Sequence, residues 1–257
     1  MQSFKRKDVF LLAIGLIIFT GFFSLNLDII QAFSTSPSTP FVAGMSYFGQ
    51  GEYDKAISEF EKSIQLDPEH TESYYYLGQC YLQKGILEYN NKHILKAYSF
   101  YRKSYEISEK VIPQYEKMIK DNPEDLNSYL RLSYIYEIRS MIPLNNEYDK
   151  ALEYYLKALA LDIVSENKNT NIYLYLNTRA GTIYFQKKDY LQAIEYLERA
   201  AEMSPQNAEV IYYLGMSYDK IGEKEKALTS FTKVLELAPQ SDFAREAEKE
   251  LKKINKN

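Results

Sequence analysis

Three side chains belong to the types that most often supply a nucleophile or a general base: Cys80, His70 and His93. A cysteine beside a histidine can attack a carbonyl carbon. However, Cys80 falls in the apolar pattern of a helix, at a place where a small buried residue is expected. His70 follows Pro68-Glu69 in a surface turn, and His93 opens an inserted helix. We therefore predict that Cys80 is a core residue and that the chain has no catalytic site.

Metal and cofactor motifs are absent from the sequence. One cysteine can form neither an intrachain disulfide nor a cysteine metal cluster, and the chain has no HExxH motif, phosphate loop or Gly-rich dinucleotide motif. The abundant Asp and Glu residues fall on polar helix faces, where solvated charge is the default. A net charge of −4 argues against nucleic acid, which requires a basic face. We predict no metal, no cofactor and no nucleic-acid partner.

Glycine and tyrosine recur at a fixed spacing in five similar segments. They are "AGMSY", "LGQCY", "LSYIY", "AGTIY" and "LGMSY", and their small residues are Gly44, Gly78, Ser133, Gly181 and Gly215. The intervals are 34, 55, 48 and 34 residues, so two equal 34 and two equal 34 with an insertion. Each segment has the 3.6-residue periodicity of an amphipathic helix. The pattern predicts five related helical units.

A second motif follows each of these helices. Ala, a large apolar residue and Pro recur as Ala56/Phe60/Pro68, Ala193/Leu197/Pro205 and Ala227/Phe231/Pro239, with Ala151/Tyr155/Ala158 in the third copy. Together the two motifs resemble the tetratricopeptide repeat (TPR) family over residues 37–240. The resemblance implies an all-α fold, a right-handed superhelical solenoid of about five helix pairs. The repeats would span 37–70, 71–110, 126–165, 174–207 and 208–241, followed by a capping helix over 242–257.

The small residues have a packing explanation. Gly or Ser in the first helix, and Ala in the second, let the paired helices approach closely, and aromatic rings fill the surrounding space. Leu in place of Gly78 or Gly215 would destabilise the fold by about 1–3 kcal/mol through overpacking. The predicted packing residues are Gly44, Tyr47, Ala56, Gly78, Tyr81, Ser133, Tyr136, Ala151, Gly181, Tyr184, Ala193, Gly215, Tyr218 and Ala227.

The second repeat contains an insertion after Gly85. Two alignments of its second helix fit the Ala/Phe/Ala pattern, and they use Ala97, Tyr101 and Ser104, or Tyr115, Met118 and Pro123. The latter would place Pro113 inside the helix, which Pro normally interrupts. We therefore predict a long helix to about Lys110 and an extra short helix over 111–123. In the third repeat, the segment 140–146 predicts an enlarged turn between the two helices, and the polar segment 165–171 predicts an exposed loop.

The resemblance also implies a concave surface that binds peptides. Its lining would be aromatic and apolar, which suits an extended peptide or an amphipathic helix, although the cap, the linker or the inserted helix could fill it instead. A subgroup of the family grips the carboxylate of chaperone tails with Lys, Arg and Asn. Here only Arg131 matches that set, so we do not expect a chaperone tail as the partner. The predicted groove residues are Phe41, Met45, Phe48, Tyr75, Gln79, Leu82, Leu130, Tyr134, Tyr175, Thr178, Phe185, Tyr212 and Met216.

The N-terminus carries the signature of a membrane anchor. Residues 9–25, "VFLLAIGLIIFTGFFSL", are uncharged and follow the basic run Lys5-Arg6-Lys7. The charge asymmetry predicts a cytoplasmic tail over 1–8, a transmembrane signal anchor over 9–30 and a Ser/Thr/Pro linker over 31–40. A cleaved signal peptide, which would leave a secreted or periplasmic protein, and a buried core helix are the alternatives.

These features predict a non-catalytic scaffold in the cytoplasmic (inner) membrane. It would cross the membrane once, with the repeats on the extracytoplasmic side, and hold a protein partner in the groove during assembly of a larger envelope complex. The alternative is a structural protein that self-associates into homo-oligomers at the membrane.

Overall fold

The computed structural model describes residues 39–141, 146–164 and 170–254. Within these residues the chain forms eleven α-helices and no strands, which confirms the predicted all-α class. The helices are α1 Pro40–Gly49, α2 Tyr53–Leu66, α3 Thr71–Asn90, α4 Ile94–Asp121, α5 Leu126–Met141, α6 Tyr148–Val164, α7 Thr170–Gln186, α8 Tyr190–Met203, α9 Ala208–Ile221, α10 Lys224–Leu237 and α11 Asp242–Ile254.

Some predicted segments lie outside the described residues. They include the basic tail over 1–8, the membrane segment over 9–30, linker residues 31–38, and most of the polar segments over 140–146 and 165–171. Among the helices that the structure describes, none combines the length and the apolar character needed to cross a bilayer.

The predicted fourth repeat begins earlier than expected. Thr170 and Asn171 form an exposed first turn of α7, leading to half-buried Ile172 and Tyr173.

The chain divides into two compact units. The described part of the first unit runs to Pro123 and resumes over Ile135–Glu147, and the second contains Glu124–Tyr134 and the chain from Tyr148 onward. In the first unit α1 packs on α2, α2 on α3 and α3 on α4. In the second unit each helix from α6 to α10 packs on the next one, and α9 also contacts α7 and α11. Each unit is thus a stack of helical hairpins.

A left-handed residue closes the turn in four of these hairpins. Gly51 has a φ of 75° and Gly222 a φ of 86°, which glycine adopts without steric cost. Lys92 and Lys188 occupy the corresponding turns with φ values of 64° and 65°. For a lysine this conformation costs about 1–2 kcal/mol. The surrounding hairpins must offset that cost.

Glycine permits close contact between the paired helices. In three hairpins a Cβ atom added to the glycine would lie under 3 Å from a side chain sixteen residues later: Gly44–Phe60 at 2.7 Å, Gly181–Leu197 at 2.6 Å and Gly215–Phe231 at 2.9 Å. Real Cβ atoms do not approach this closely, so these positions require glycine. Phe60, Leu197 and Phe231 are completely buried at the contacts.

The second repeat uses a different glycine from the predicted one. A Cβ atom on Gly85 would lie 2.5 Å from Tyr101, again sixteen residues later, whereas the nearest atom to one on Gly78 is Ile107 Cγ2 at 3.5 Å. Residues equidistant from a hairpin turn face each other. Because this turn lies at residues 91–93, it places Gly85 opposite Tyr101. The prediction that Gly78 makes the close contact is therefore wrong.

The second helix of this repeat is continuous. Ile94–Asp121 forms one helix of 28 residues with Pro113 inside it, so the predicted break and extra helix over 111–123 are wrong. Apolar side chains are buried on both sides of the proline, including Tyr101 before it and Tyr115 after it. Pro113 itself faces solvent. Packing along the whole of α4 therefore outweighs the hydrogen bond that proline cannot donate.

Candidate functional site

The three side chains that could supply a nucleophile or a general base are Cys80, His70 and His93, and each is buried or in contact with a neighbouring side chain. Cys80 is completely buried, and burial raises the pKa of its thiol, so it stays protonated. The ring of His70 is half-buried rather than free at the surface, because it lies 4.8 Å from the ring of Phe41. Its Nδ1 accepts a hydrogen bond from the Ser73 amide at 3.2 Å and caps α3. Exposed His93 contacts Glu88 at 2.7 Å.

Metal ligation has no candidate in the described part of the chain. No three His, Cys, Asp or Glu side chains within residues 39–141, 146–164 and 170–254 are arranged to hold an ion.

The predicted groove residues are far less accessible than expected. Eight are buried, namely Met45, Phe48, Tyr75, Gln79, Leu82, Leu130, Thr178 and Tyr212, and five are half-buried, namely Phe41, Tyr134, Tyr175, Phe185 and Met216. An exposed aromatic lining is thus the wrong description of these side chains. Whether any of them contacts a partner stays a prediction.

Packing between successive helices explains this burial. The ring of Phe48 lies 5.6 Å from that of Tyr76 on α3, within the first unit. In the second unit, Tyr212 lies 5.5 Å from Phe243 of the last helix. The ring–ring distances suit edge-to-face and tilted aromatic contacts. The capping helix α11 therefore covers this part of the predicted groove, as in the self-filling alternative.

The first unit contains a small cavity beside Gly78. Its volume is about 20 Å³, which accommodates one water-sized group. Gly78 lines it, and a Cβ atom added there would meet Ile107 of α4 at 3.5 Å, an ordinary van der Waals distance. Two predicted groove residues line it, Tyr75 and Gln79. The full lining is Tyr74, Tyr75, Gly78, Gln79, Ser104, Tyr105, Ile107, Ser108, Val111, Ile135, Ile138 and Arg139.

Gln79, which lines this cavity, has a buried polar atom without a hydrogen-bond partner. The side chain is 6% exposed, and its Oε1 has no hydrogen-bond partner. A buried acceptor without a partner costs about 1–3 kcal/mol. A hydrogen-bond donor that reached this oxygen would remove that cost.

Arg139 forms the polar wall of the cavity. Its guanidinium donates to Glu147 at 2.6 and 3.1 Å, to the Tyr105 hydroxyl at 2.9 Å and to Ser108 Oγ at 3.3 Å, and it pairs with Glu109. It also lies 4.3 Å from the centre of the Tyr105 ring. Two carboxylates and a ring thus hold one cation in a fixed orientation. The network makes the cavity wall rigid.

The second unit holds a buried ion pair that the sequence analysis missed. Arg179 Nη1 lies 3.7 Å from Glu209 Oε1, longer than a hydrogen bond. Burial raises the pKa of Glu209 to about 7, outweighing the opposing effect of Arg179, and burial lowers the pKa of Arg179. Nearby in sequence, Asn177 Oδ1 is buried without a partner. An arginine inside the apolar segment "LNTRAG" was the available signal.

Tyrosines of the repeat motif form hydrogen bonds between successive repeats. Their hydroxyls donate to a glutamate twenty residues earlier: Tyr81 to Glu61 at 3.4 Å, Tyr136 to Glu116 at 3.3 Å and Tyr218 to Glu198 at 2.5 Å. Burial, followed by Glu198, raises the pKa of Tyr218. We predicted space-filling rings here. The glutamate spacing was readable in the sequence and would have indicated these bonds.

Comparison with known protein families supports the predicted repeat. Residues 44–85 match the family model described as "TPR repeat". This segment of the chain is similar to a tetratricopeptide repeat. A second segment, residues 170–257, matches the family model described as "Regulator of microtubule dynamics protein 1-3".

The curated relatives of this chain are longer proteins. A TPR repeat-containing protein of Methanocaldococcus jannaschii is 24% identical to this chain. The alignment covers 82% of this chain and 44% of the length of the relative. Response regulator aspartate phosphatase E of Bacillus subtilis is 26% identical over 75% of this chain and 49% of its own. The chain thus spans less than half the length of these curated relatives.

Solved structures show the same fold. A crystal structure of MamA aligns with a TM-score of 0.51 and 20% identity over 77% of this chain and 95% of its own. A thermophilic TPR protein of Thermus thermophilus aligns with a TM-score of 0.52 and 19% identity, over 82% of this chain and 96% of its own. At these identities the similarity establishes the fold alone.

Proposed function

We propose that this TPR protein is a non-catalytic scaffold that binds a partner polypeptide at the cavity of its first unit. TPR proteins generally mediate protein–protein interactions and scaffolding. The partner would be an extended peptide or an amphipathic helix that places one hydrogen-bond donor against Gln79. The proposal rests chiefly on the unsatisfied Oε1 of that residue.

Recognition would combine this donor with apolar contact. Tyr74 and Ile107 are half-buried on opposite helices that line the cavity, so both keep some surface for a partner. The volume of about 20 Å³ admits a single group, such as a backbone N–H or a hydroxyl, and not a large side chain. A rigid wall at Arg139 reduces the ordering cost of binding.

We further propose that residues 9–30 anchor this scaffold in the cytoplasmic membrane, with the linker over 31–40 leading to repeats on the extracytoplasmic side. The uncharged run after Lys5-Arg6-Lys7 supports this arrangement. The scaffold would then support assembly of a larger envelope complex. N-terminal sequencing of the mature protein tests the anchor, because removal of residues 9–30 would contradict it.

Two matched variants test the binding site. Gln79→Leu removes the acceptor, whereas Gln83→Leu makes the same change one turn later on α3, at a buried residue outside the cavity lining. A photo-crosslinking residue at position 74 of the full-length chain captures a neighbour in native membranes for mass spectrometry. We expect Gln79→Leu to lose the crosslink and Gln83→Leu to retain it, with helicity unchanged in both. A crosslink that survives Gln79→Leu would remove the cavity from the proposal.

Self-association is the second candidate function. Phe243 covers Tyr212, so the chain fills this part of the predicted groove itself. Contact between copies would then use other surfaces of the protein. Light scattering on the detergent-solubilised protein distinguishes the two functions. A monomer across the accessible concentration range would exclude homo-oligomers as the functional state.

A further inference from the structure

The hairpin of α3 and α4 ends in an exposed apolar cluster. Leu87, Ile94, Leu95 and Tyr98 are 49%, 47%, 89% and 52% exposed, and we call the segment Leu87–Tyr98 the α3–α4 tip. These are four of the eight large hydrophobic side chains that are exposed in the described part of the chain, and they fall within twelve residues. Such clustering marks an interaction surface, because scattered exposed apolar residues are ordinary.

The tip is a stable structure and not a frayed end. Beneath it, Leu82, Ile86, Ala97 and Tyr101 form a buried core cluster against which Tyr89 and Ile138 pack. Gly85 allows close contact between the two helices directly under the cluster. The apolar side chains of the tip are therefore presented on a rigid support.

The charge around the tip identifies its partner. Residues 86–103 carry Lys92, Lys96, Arg102 and Lys103 against Glu88, a net charge of +3 in a chain whose net charge is −4. The side chains of Lys96 and Arg102 are 60% and 71% exposed, and they pair with Glu88 and with Glu106, which lies just outside this window. Two copies of such a tip would repel each other. Basic residues surrounding exposed Leu, Ile and Tyr match a bilayer surface with anionic headgroups.

We propose that the α3–α4 tip inserts its apolar side chains into the interfacial region of an anionic lipid bilayer. Leu95 enters the acyl boundary, Tyr98 lies at the headgroup level, and the lysines extend towards lipid phosphates. This interaction is independent of the cavity at Gln79 and does not require residues 9–30.

The α7–α8 hairpin provides a matched control. Lys188 has the same left-handed turn conformation as Lys92, and Leu191 follows it by three residues as Leu95 follows Lys92. Leu191 is 69% exposed, but Ile183, which corresponds to Leu87, is buried. The corresponding window, residues 182–199, has three basic and three acidic residues and no net charge. The control therefore keeps an exposed leucine and removes the cluster and the charge.

The absence of tryptophan from the chain makes a site-specific test possible. The full-length protein is prepared as Leu95→Trp and, separately, as Leu191→Trp, and reconstituted in phosphatidylcholine vesicles with or without phosphatidylglycerol. Both positions are exposed, so neither substitution disturbs the core. Tryptophan emission reports polarity, and lipids brominated on the acyl chain quench tryptophan that reaches them.

We expect blue-shifted and quenched emission from residue 95 in anionic vesicles, with quenching reduced by high salt or neutral lipid. Residue 191 should stay unquenched. Adding Tyr98→Asp to Leu95→Trp should lower the bilayer-bound fraction of the tip by about tenfold. Unquenched emission from residue 95, or equal quenching at both positions, would overturn the proposal. A blue shift that follows protein concentration without vesicles would also overturn it, by assigning the tip to a second copy.

Discussion

The two glycines of the second repeat should respond in opposite directions to the same substitution. Gly78→Ala places a methyl group in the cavity, where the nearest atom is 3.5 Å away. Alanine is favoured over glycine in a helix by about 1 kcal/mol, and the buried methyl group contributes up to about 0.8 kcal/mol more. We therefore expect Gly78→Ala to raise the free energy of unfolding by about 1 kcal/mol.

Gly85→Ala gains the same helix propensity, but its added methyl group would overlap with the ring of Tyr101. Its Cβ atom would lie 2.5 and 2.6 Å from two ring atoms of Tyr101, a side chain only 7% exposed. The ring is confined by Leu82, Ile86 and Ala97, so it cannot move aside freely. Overpacking of this kind costs about 1–3 kcal/mol. We expect Gly85→Ala to lower the free energy of unfolding by up to about 2 kcal/mol. The free energies of unfolding of the two variants should differ by about 2 kcal/mol.

Urea denaturation followed by far-UV circular dichroism measures both variants under identical conditions. The midpoint should rise for Gly78→Ala and fall for Gly85→Ala, with equal slopes. Gly215→Ala serves as a reference for a close contact, since its Cβ atom would lie 2.9 Å from Phe231. If Gly78→Ala destabilised the protein as much as Gly215→Ala, the shifted contact would be refuted and the original 34-residue alignment restored.

Two further substitutions test the packing and the electrostatics. Pro113→Ala should raise the free energy of unfolding by about 1–3 kcal/mol, because it restores an interior helical hydrogen bond; a lowered denaturation midpoint would contradict this. Glu209→Gln tests the raised pKa of about 7. As the pH rises from about 4.5 to 7, the carboxyl group of Glu209 loses its proton in the unfolded chain before it does so in the folded protein. The free energy of unfolding of the wild type should therefore fall by about 1–3 kcal/mol over this range relative to that of Glu209→Gln. Parallel pH profiles of the two proteins would refute the raised pKa.

Local periodicity predicted the helices well because it records burial directly. Ala56, Ala151, Ala193 and Ala227 recur at one place in the second helices, and all four are completely buried. The second repeat departs from the prediction because Gly78 preserves the 34-residue interval only by residue type. The contact depends instead on distance from the hairpin turn, and Lys92 stands at that turn where glycine is the usual signal.

Candidate sites were harder to predict because exposure is a property of neighbouring helices. Tyr212 has the position of a groove residue, but Phe243 covers it from a helix thirty residues further along the chain. The acceptor of Gln79 could not be recognised as unsatisfied without knowing which donors surround it. Pro113 was judged by its local cost alone, and that cost is outweighed by burial on both sides.

The enlarged second repeat links the main features of the first unit. Its helices have 20 and 28 residues, whereas α9 and α10 have 14 each. The longer hairpin moves its turn, so the close contact passes to Gly85 and Gly78 is left beside a cavity. The same hairpin ends in the α3–α4 tip, where Leu95 is 89% exposed among the described residues. Shortening α3 and α4 together by two turns should therefore remove both the lipid-binding tip and the space beside Gln79. Gly78→Ala should fill only the space beside Gln79. This variant should therefore lose the proposed partner binding at the cavity and keep the proposed lipid binding by the tip.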